Sequence, residues 1–282
     1  MPTLEMEPTY RVVLPAAEQV AVLLVGAGGT GSTLALFLAG LAYHARQKGI
    51  KVELTLVDDD VVEMKNCGRQ ALSVQAAMAG DVYKVDDLAL RLNAAYGLDI
   101  AAWPERYEAA MGAAWFHDGA RGSARSHLII GCVDTYSGRR EMAKTVEASH
   151  HRIWALDCGN ERDSGQVLIG NVTDIDRIKF DRLGLCSGLP SPYIQEPALL
   201  IPEEEAQPLS CAEMTLAEEQ SLMINRLAAT IAGQFVTEFV LRRQVTQMGA
   251  DFNLAPTVMR PRLITVANVR RYSQTDHSDI EP

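Results

Sequence analysis

The sequence predicts an α/β fold in which a mixed sheet, parallel in its N-terminal part and with antiparallel additions, carries helices on both faces. Residues 20–25 (VAVLLV) form an unbroken apolar run, typical of a strand buried on both faces of a parallel sheet. A glycine-rich turn, a helical pattern over residues 32–48 and a second strand at residues 52–57 follow. This order indicates a right-handed βαβ unit, so we expect a Rossmann-like arrangement.

The rest of the chain extends this unit. We predict helices at 77–96, 137–149 and 212–243, strands at 100–107, 128–133 and 153–157, an antiparallel strand at 166–172 and an edge strand at 263–266. Prolines and an acidic run make 175–210 irregular, which is typical of a functional loop or lid. We interpret 1–282 as a single domain with a nucleotide-binding half (20–150), a C-terminal half (151–272) that contains the crossover loop 175–210, and a flexible tail (273–282).

Composition excludes several classes of protein. A chain of 282 residues, 48% of them hydrophobic, can bury a large core. Its net charge of -10 argues against binding to nucleic acid, which needs clustered cations. The five cysteines include no C-x-x-C pair, so we expect neither zinc nor a disulfide framework, and a reducing cytoplasm fits. An acidic N-terminus (Glu5, Glu7) and short apolar runs predict neither a signal peptide nor a membrane partner.

The glycine-rich turn predicts a phosphate site. In the pattern Gly26-x-Gly28-x-x-Gly31, the first glycine turns the chain, the second lets the backbone approach a phosphate, and the third allows close packing of helix on strand. Gly29 lies in the same turn and is a further candidate for contact with the nucleotide. The free N–H groups of that helix N-terminus suit an anion. The turn alone indicates a nucleotide without saying which one.

The acidic residues at the end of the second strand are compatible with either of two nucleotides, NAD or ATP. Asp58, Asp59 or Asp60 could hold the ribose of NAD, as acidic residues do at this point of dinucleotide-binding folds. The residues that follow favour ATP instead, because cleavage of a triphosphate needs cations that stabilise the developing charge.

Those residues are Asn66, Arg69 and Lys84, together with Asp134 at the end of a later strand. Arginine makes bidentate contacts with phosphate oxygens and lysine supplies a point charge. A carboxylate such as that of Asp134, at the edge of the sheet where ligands bind, could hold Mg²⁺.

The order of these motifs resembles that of the superfamily containing ThiF, MoeB and the ubiquitin-activating enzymes. Gly-x-Gly-x-x-Gly-Ser, Asp-x-Asp-x-Val-x-x-x-Asn-x-x-Arg-Gln, a lysine, and a strand-end Asp followed five residues later by Arg139 recur at the expected spacing over about residues 20–243. More narrowly, the chain is similar to the ThiF-family proteins of plasmid-borne PRTRC gene systems. The resemblance implies a ThiF-type adenylation domain.

The resemblance also implies roles for the residues. Asp60, with Asp58 beside it, would bind the ATP ribose, Asn66, Arg69 and Lys84 would contact the phosphates, and Asp134 would hold Mg²⁺. The C-terminal glycine of a small ubiquitin-like protein would attack the α-phosphate. A homodimer is implied, in which Arg11 is the candidate for an arginine donated by a second subunit, and a conjugating-enzyme-like protein could receive the product.

Three departures from the family pattern bear on this interpretation. Cys67-Gly68 replaces a usual Leu-Asn pair, and Thr135 replaces the asparagine that commonly follows the Mg²⁺-site aspartate. The two C-x-x-C zinc pairs of many relatives are absent from the sequence. We therefore expect no metal besides Mg²⁺.

The acyl group could pass from the adenylate to a cysteine. Cys211 stands where the long helix is predicted to begin, which favours a thiolate, although nearby glutamates oppose this. The position resembles that of the thioester cysteine in autophagy-type activating enzymes. Cys186 is the second candidate, whereas Cys132 and Cys158 are interpreted as packed strand residues.

Three other functions stay open on the sequence alone. The same site could adenylate a small-molecule carboxylate, or the chain could be a nucleotide-binding assembly subunit without catalysis. NAD-linked oxidoreduction is less favoured, since no His or Tyr–Lys group stands in a suitable place.

Overall fold

The protein is described by a computed structural model that covers residues 7–118, 125–202 and 211–273, with the side chains of Asp118 and of residues 211–222 outside the description. Ten strands are assigned within these ranges: β1 Val12–Val13, β2 Gln19–Val25, β3 Lys51–Val57, β4 Ala101–Trp103, β5 Arg125–Gly131, β6 Ile153–Asn160, β7 Ser164–Gly170, β8 Gln244–Val245, β9 Gln247–Leu254 and β10 Thr257–Leu263. The helices are α1 Gly29–Arg46, α2 Val74–Ala79, α3 Lys84–Tyr96, α4 Ala109–Asp118, α5 Tyr136–Ala148, α6 Pro192–Gln195, α7 Cys211–Thr237 and α8 Val266–Arg270.

Eight strands form one mixed sheet in the order β10-β9-β7-β6-β5-β2-β3-β4. The five strands from β4 to β6 in this order are parallel to one another. The next three strands are added by antiparallel pairing of β7 with β6, of β9 with β7 and of β10 with β9. Apolar clusters lie on both faces of the sheet, which explains why β2 and β5 are apolar almost throughout. The predicted Rossmann-like α/β fold is confirmed, and so is the antiparallel strand after residue 160.

The register of the parallel strands brings their carboxyl ends to one level. Val25 pairs with Val57 on one side and with Gly131 on the other, and Gly131 in turn pairs with Asp157. The residues that leave these strands therefore emerge side by side along one edge of the sheet. This edge is where the predicted site residues meet.

Two predicted helices differ from those in the structure. The helix predicted at 77–96 is interrupted after α2, because Gly80 and Asp81 adopt positive φ angles of 71° and 53°. The interruption lets the Lys84 amide bond to the Asp60 carbonyl (2.9 Å), so that α3 begins at Lys84. The helix predicted to start at residue 32 starts at Gly29, since the Ser32 amide already donates to the Gly28 carbonyl.

The C-terminal part also differs from the prediction. The strand predicted at 263–266 is replaced by the β9–β10 hairpin, and Val266 begins α8. Helix α7 continues into a π-helical turn, Glu238–Arg242, which ends where Arg243 takes a φ of 52°. The described part of the irregular segment is anchored: the buried Gln195 side chain donates to the carbonyls of Ile169, Pro190 and Met248. None of the described helices is long and apolar enough to cross a membrane.

We predict that Gly31→Ala lowers the free energy of unfolding by about 1–3 kcal/mol, because the added methyl group overlaps the carbonyl oxygen of Gly26. Chemical denaturation monitored by circular dichroism measures this loss. The matched control is Gly40→Ala in the same helix, whose methyl group would come no nearer than 3.8 Å to the Tyr96 hydroxyl. This control should raise stability by about 0.5–1 kcal/mol. Equal effects of both substitutions would contradict the close-packing role of Gly31.

Candidate active site

A cavity of about 600 Å³ opens at the carboxyl ends of β2, β3, β5 and β6. The predicted site residues Asp58, Asp60, Arg69, Lys84 and Asp134 all line it. The fold thus brings together side chains that follow different strands and loops of the chain. The other lining residues are Val25, Gly26, Gly28, Gly29, Thr30, Val57, Asp59, Gln70, Arg106, Tyr107, Cys132, Val133, Thr135, Gly138, Arg139, Cys158, Asn160 and Asn225.

The glycine turn supplies the floor of this cavity. Gly26 has a φ of 93°, and a Cβ atom there would lie 2.6 Å from the Cys132 carbonyl oxygen. A Cβ at Gly31 would overlap the Gly26 carbonyl, whereas one at Gly28 would meet nothing within 4 Å. Gly26 and Gly31 therefore allow strands and helix to pack closely, and Gly28 leaves the start of α1 open to a ligand.

The end of β3 is tied to this turn by its first aspartate. Asp58 accepts hydrogen bonds from the Ala27 amide (2.6 Å) and the Asp60 amide (2.9 Å). Burial raises the pKa of the Asp58 carboxyl above its ordinary value, although these two hydrogen bonds oppose the shift. Asp58 therefore shapes the turn as well as lining the cavity.

Lys84 and Asp60 form an ion pair across the cavity wall. The Lys84 ammonium lies 2.6 Å from Asp60 Oδ2, with the lysine side chain 8% exposed and the aspartate side chain 66% exposed. Because Lys84 is the first residue of α3, its main chain is fixed while its charged end faces the cavity. The two residues predicted to bind phosphate and ribose therefore bind each other in this structure.

Asn66 supports the loop that carries Arg69. Its side-chain oxygen accepts from the Glu63 amide (3.0 Å), and its carbonyl accepts from the Gln70 amide (2.9 Å). Asn66 is buried, and the lining of the cavity, as far as the chain is described, includes Arg69 and Gln70 but not Asn66. A direct contact of Asn66 with phosphate thus remains a prediction, whereas its support of the loop is observed.

Asp134 and Arg139 occupy the side of the cavity above β5. Asp134 follows this strand and is exposed within the lining. Thr135, which replaces the family's asparagine, caps α5 through a hydrogen bond from the Gly138 amide. The cap places the start of α5, and with it Arg139, against the cavity.

Behind Arg139 lies a buried carboxyl. Asp157 is 1% exposed, and its Oδ1 lies 3.4 Å from Arg139 Nε, which is too long for a strong charge-assisted hydrogen bond. Neither Asp157 oxygen nor the buried Tyr193 hydroxyl has a hydrogen-bond partner among the described residues. Burial raises the pKa of Asp157 to about 6, although Arg139 lowers it.

Sequence reasoning missed an amide network on the far side of the cavity. Asn225 Oδ1 accepts from Asn160 Nδ2 (3.0 Å) and lies 3.0 Å from the Thr30 hydroxyl, which is also 3.3 Å from Asn160 Oδ1. A Cβ at Gly29 would overlap the Asn225 amide, so glycine at position 29 leaves room for it. No motif marks Asn160 or Asn225, since each contributes a single asparagine from a distant element.

The cysteines separate into different environments. Cys132 and Cys158 line the cavity, and the interaction with the neighbouring Cys132 thiol together with burial raises the pKa of Cys158 well above its ordinary value. Cys186 is buried, donates to the Gly188 carbonyl, and has a pKa raised chiefly by burial, which disfavours a nucleophilic thiolate. Helix α7 begins at Cys211 as expected within one residue, but the Cys211 side chain lies outside the described part of the chain.

The fold and the cavity together define an α/β protein with a nucleotide-type glycine turn beside cationic and acidic side chains. The family model of ThiF, described as the ThiF family, matches residues 13–178, more than half of the sequence. The chain belongs to the ThiF family. A comparison with curated proteins gave no match.

Solved structures of E. coli MccB are similar to this chain. MccB with MccA-N7isoASN gives a TM-score of 0.55 at 13% identity, and MccB with AMPCPP and MccA gives 0.52 at 14%, each covering 87% of this chain and 64% of MccB. MccB with ATP gives 0.52 at 12% identity, covering 87% of this chain and 63% of MccB. The chain thus spans less than two thirds of the MccB chains, and at these identities the likeness shows a shared fold.

The Asp157 carboxyl predicts a pH-dependent stability. Its folded pKa of about 6 lies above the unfolded value of about 3.9, so the folded protein retains a proton that the unfolded chain releases. The stabilisation is therefore complete below about pH 4 and is lost as pH rises through about 6.

We expect Asp157→Asn to remove this loss of folding stability with rising pH. The difference in free energy of unfolding between the variant and the wild type should shift in favour of the variant by about 2 kcal/mol from pH 4 to pH 7. The replacement of a protonated carboxyl by an amide adds only an offset that does not vary with pH, because the interaction of the ionised carboxylate with Arg139 is already part of the folded pKa. Denaturant titrations at several pH values measure the difference, and a flat difference would refute the assignment.

Proposed function

We propose that this protein catalyses ATP-dependent adenylation of a carboxylate, and specifically that of the C-terminal glycine of a small ubiquitin-like protein. The observation that carries the proposal is the cavity in which an open helix N-terminus faces Arg69, Lys84 and Asp134. Membership of the ThiF family supports the same reaction. Reactions at a nucleotide α-phosphate depend mainly on positioning and on cations near the developing charge.

The arrangement of the strand ends supports one orientation of the nucleotide. The ribose is assigned to Asp60 and Asp58 after β3, and the phosphates to the backbone N–H groups at Gly28 and Gly29. Lys84 would exchange its Asp60 partner for a phosphate oxygen when ATP enters, since both are anions within reach of the same ammonium group. Release of Asp60 from Lys84 at that moment leaves its carboxylate able to accept hydrogen bonds from the ribose hydroxyls.

Asp134 fits a magnesium ion by its chemistry. It offers an exposed carboxylate within the lining, and Mg²⁺ is usually bound by one or two carboxylates together with substrate phosphates. The bound ion would neutralise charge on the phosphates. The carboxylates of Asp58, Asp59 and Asp60 also lie within 4.8 Å of one another, but the Ala27 amide and Lys84 already engage two of them.

The proposed adenylation forms one bond and breaks one bond at the α-phosphorus. An oxygen of the substrate carboxylate attacks the α-phosphorus, a new C(O)–O–P bond forms, and the bond from the α-phosphorus to the bridging oxygen breaks. Pyrophosphate leaves with that oxygen and its electron pair. Arg69 and Lys84 would stabilise the negative charge that grows on this leaving group.

We propose a peptide or protein acid in preference to a small one. One of the structures that share this fold is that of MccB together with AMPCPP and MccA. A homodimer with Arg11 donated across subunits, and a conjugating-enzyme-like acceptor, belong to the same proposal. Adenylation of a small-molecule carboxylate, or nucleotide binding without catalysis, are the alternatives.

We expect Lys84→Gln to lower ATP–pyrophosphate exchange by about 100-fold or more, because one charged contact with the phosphates is lost. ATP–pyrophosphate exchange is measured for the wild type and for the variant, each in the presence of a candidate partner that ends in glycine. The matched control is Lys65→Gln, which removes an exposed lysine from the same region that pairs with Glu63. Exchange that survives Lys84→Gln unchanged would favour a subunit without catalysis.

A second prediction concerns the acyl acceptor. If the acyl group passes to Cys211, Cys211→Ala should abolish a thiol-sensitive covalent adduct with the partner and leave pyrophosphate exchange within about twofold of wild type. Non-reducing electrophoresis after incubation with ATP detects the adduct. Cys186→Ala serves as the control and should retain it, whereas an adduct that persists in Cys211→Ala excludes Cys211 as the acceptor.

A further inference from the structure

The chain just beyond Arg69 is held by side chains from two helices. The Ala71 amide donates to the Ser32 hydroxyl of α1 (3.0 Å), and the Ala71 carbonyl accepts from Arg91 Nη2 of α3 (2.6 Å). Both polar main-chain groups of Ala71 are therefore engaged by side chains, two residues after Arg69. Since two residues of chain span at most about 7 Å, a displacement of Ala71 would also displace Arg69.

Asp87 extends this contact to the next part of the loop. Its carboxylate accepts hydrogen bonds from Arg91 Nε (3.1 Å) and Nη2 (2.7 Å), and also from the Ser73 amide (3.0 Å) and the Ser73 hydroxyl (2.5 Å). We call Asp87 and Arg91 the α3 clamp, because between them they bind Ala71 and Ser73. The clamp thus fixes the loop after Arg69 at two points.

The α3 clamp is an ion pair with a buried carboxylate. Asp87 is 5% exposed. Burial raises the pKa of its carboxyl, but the hydrogen bonds from Arg91 and Ser73 outweigh this effect and hold the pKa below its ordinary value. Asp87 is therefore charged at neutral pH, and opening of the clamp would leave a buried charge unpaired. This cost keeps the loop in one position.

The α3 clamp acts from outside the cavity. Among the described residues, the lining includes Arg69 but neither Asp87 nor Arg91. Helix α3, which carries the clamp, begins at Lys84, and Lys84 does line the cavity. A single helix therefore presents one cation to the cavity directly and fixes the position of a second cation through the loop.

We propose that Asp87 and Arg91 are positioning residues, which hold Arg69 in line with the β- and γ-phosphates of ATP. The proposal rests on the proposed adenylation, in which Arg69 stabilises the leaving pyrophosphate. A guanidinium binds phosphate oxygens through a planar fork, so its contacts depend on where its main chain is placed. A misplacement of about 1 Å can cost about 100-fold in rate, even when the substituted residue lies far from the reacting atoms.

The binding of two nucleotides tests the proposal without a known partner. AMP lacks the β- and γ-phosphates, whereas AMPCPP carries them and resists cleavage next to the α-phosphate. Calorimetry with excess Mg²⁺ should show that Arg91→Lys weakens AMPCPP binding about tenfold and leaves AMP binding within about twofold of wild type. The lysine keeps the charge beside Asp87 but cannot also hold the Ala71 carbonyl, because it lacks the fork of donors.

A double-mutant cycle shows whether the α3 clamp acts through Arg69. Arg69→Ala alone should weaken AMPCPP binding by about tenfold or more, since a charged contact with the phosphates is lost. Adding Arg91→Lys to Arg69→Ala should cause less than about a twofold further loss, because the clamp then has no guanidinium to position. A purely structural ion pair would not show this dependence on Arg69.

Two further variants complete the experiment. The matched control is Asp86→Asn, which removes an exposed carboxylate from the same first turn of α3 and should leave the binding of both nucleotides within about twofold of wild type. Ser32→Ala removes the other hydrogen bond to Ala71 without a change of charge. It should also weaken AMPCPP but not AMP, so the proposal stays testable if Arg91→Lys does not fold.

The other outcomes overturn the proposal in distinguishable ways. If Arg91→Lys weakens AMP and AMPCPP alike, or if its loss multiplies with that of Arg69→Ala, the clamp does not act through Arg69 and the proposal is wrong, while the proposed adenylation stands. If Asp86→Asn gives the same selective loss, the effect comes from charge at the start of α3 and the proposal is again wrong. If the wild type binds neither nucleotide, the proposed function fails and the role of the clamp fails with it.

Discussion

The parallel register of β2, β3, β5 and β6 is the constraint on which the rest of the structure depends. Because Val25, Val57, Gly131 and Asp157 lie at one level, the chain leaves four strands at adjacent points of a single edge. The close packing at Gly26 and Gly31 holds the start of α1 at the same level. A shift of one strand by one residue would turn its buried side chains to the opposite face, so the core and the cavity cannot be altered independently.

The elements that obey strong local rules could be predicted from the sequence. Residues 20–25 are apolar throughout and the glycines follow at fixed spacing, so the first strand, the turn and α1 are predicted to within a few residues. The interruption before Lys84 is not predicted, because alanine-rich helical periodicity continues across Gly80 and one glycine is often tolerated within a helix. The β9–β10 hairpin is missed because β10 is an exposed strand that includes a proline and two arginines and lacks a clear apolar alternation.

The residues of the site divide in the same way, into those that a local sequence pattern identifies and those that only the packing of distant segments brings together. Asp58, Asp60, Arg69, Lys84 and Asp134 follow strand ends or lie in a recognisable motif, and all of them line the cavity. Asn66 belongs to the motif but supports its loop from beneath, a distinction that depends on which way one side chain turns. Asn160 and Asn225 are 65 positions apart and meet through the packing of α7 on β6 and β7, so no local pattern could pair them.

The position of Asn225 within α7 has a consequence for how far an activated group would have to move. Cys211 begins this helix, and a rise of about 1.5 Å per residue separates the main chains of Cys211 and Asn225 by about 21 Å along the helix axis. An adenylate formed in the cavity that Asn225 lines, as proposed, would therefore be out of direct reach of a thiol at the first turn. Acyl transfer to Cys211 would require either unwinding of the first turns of α7 or transfer between subunits. The distance that the acyl group has to cover, rather than the reactivity of the thiol, would then limit the transfer step.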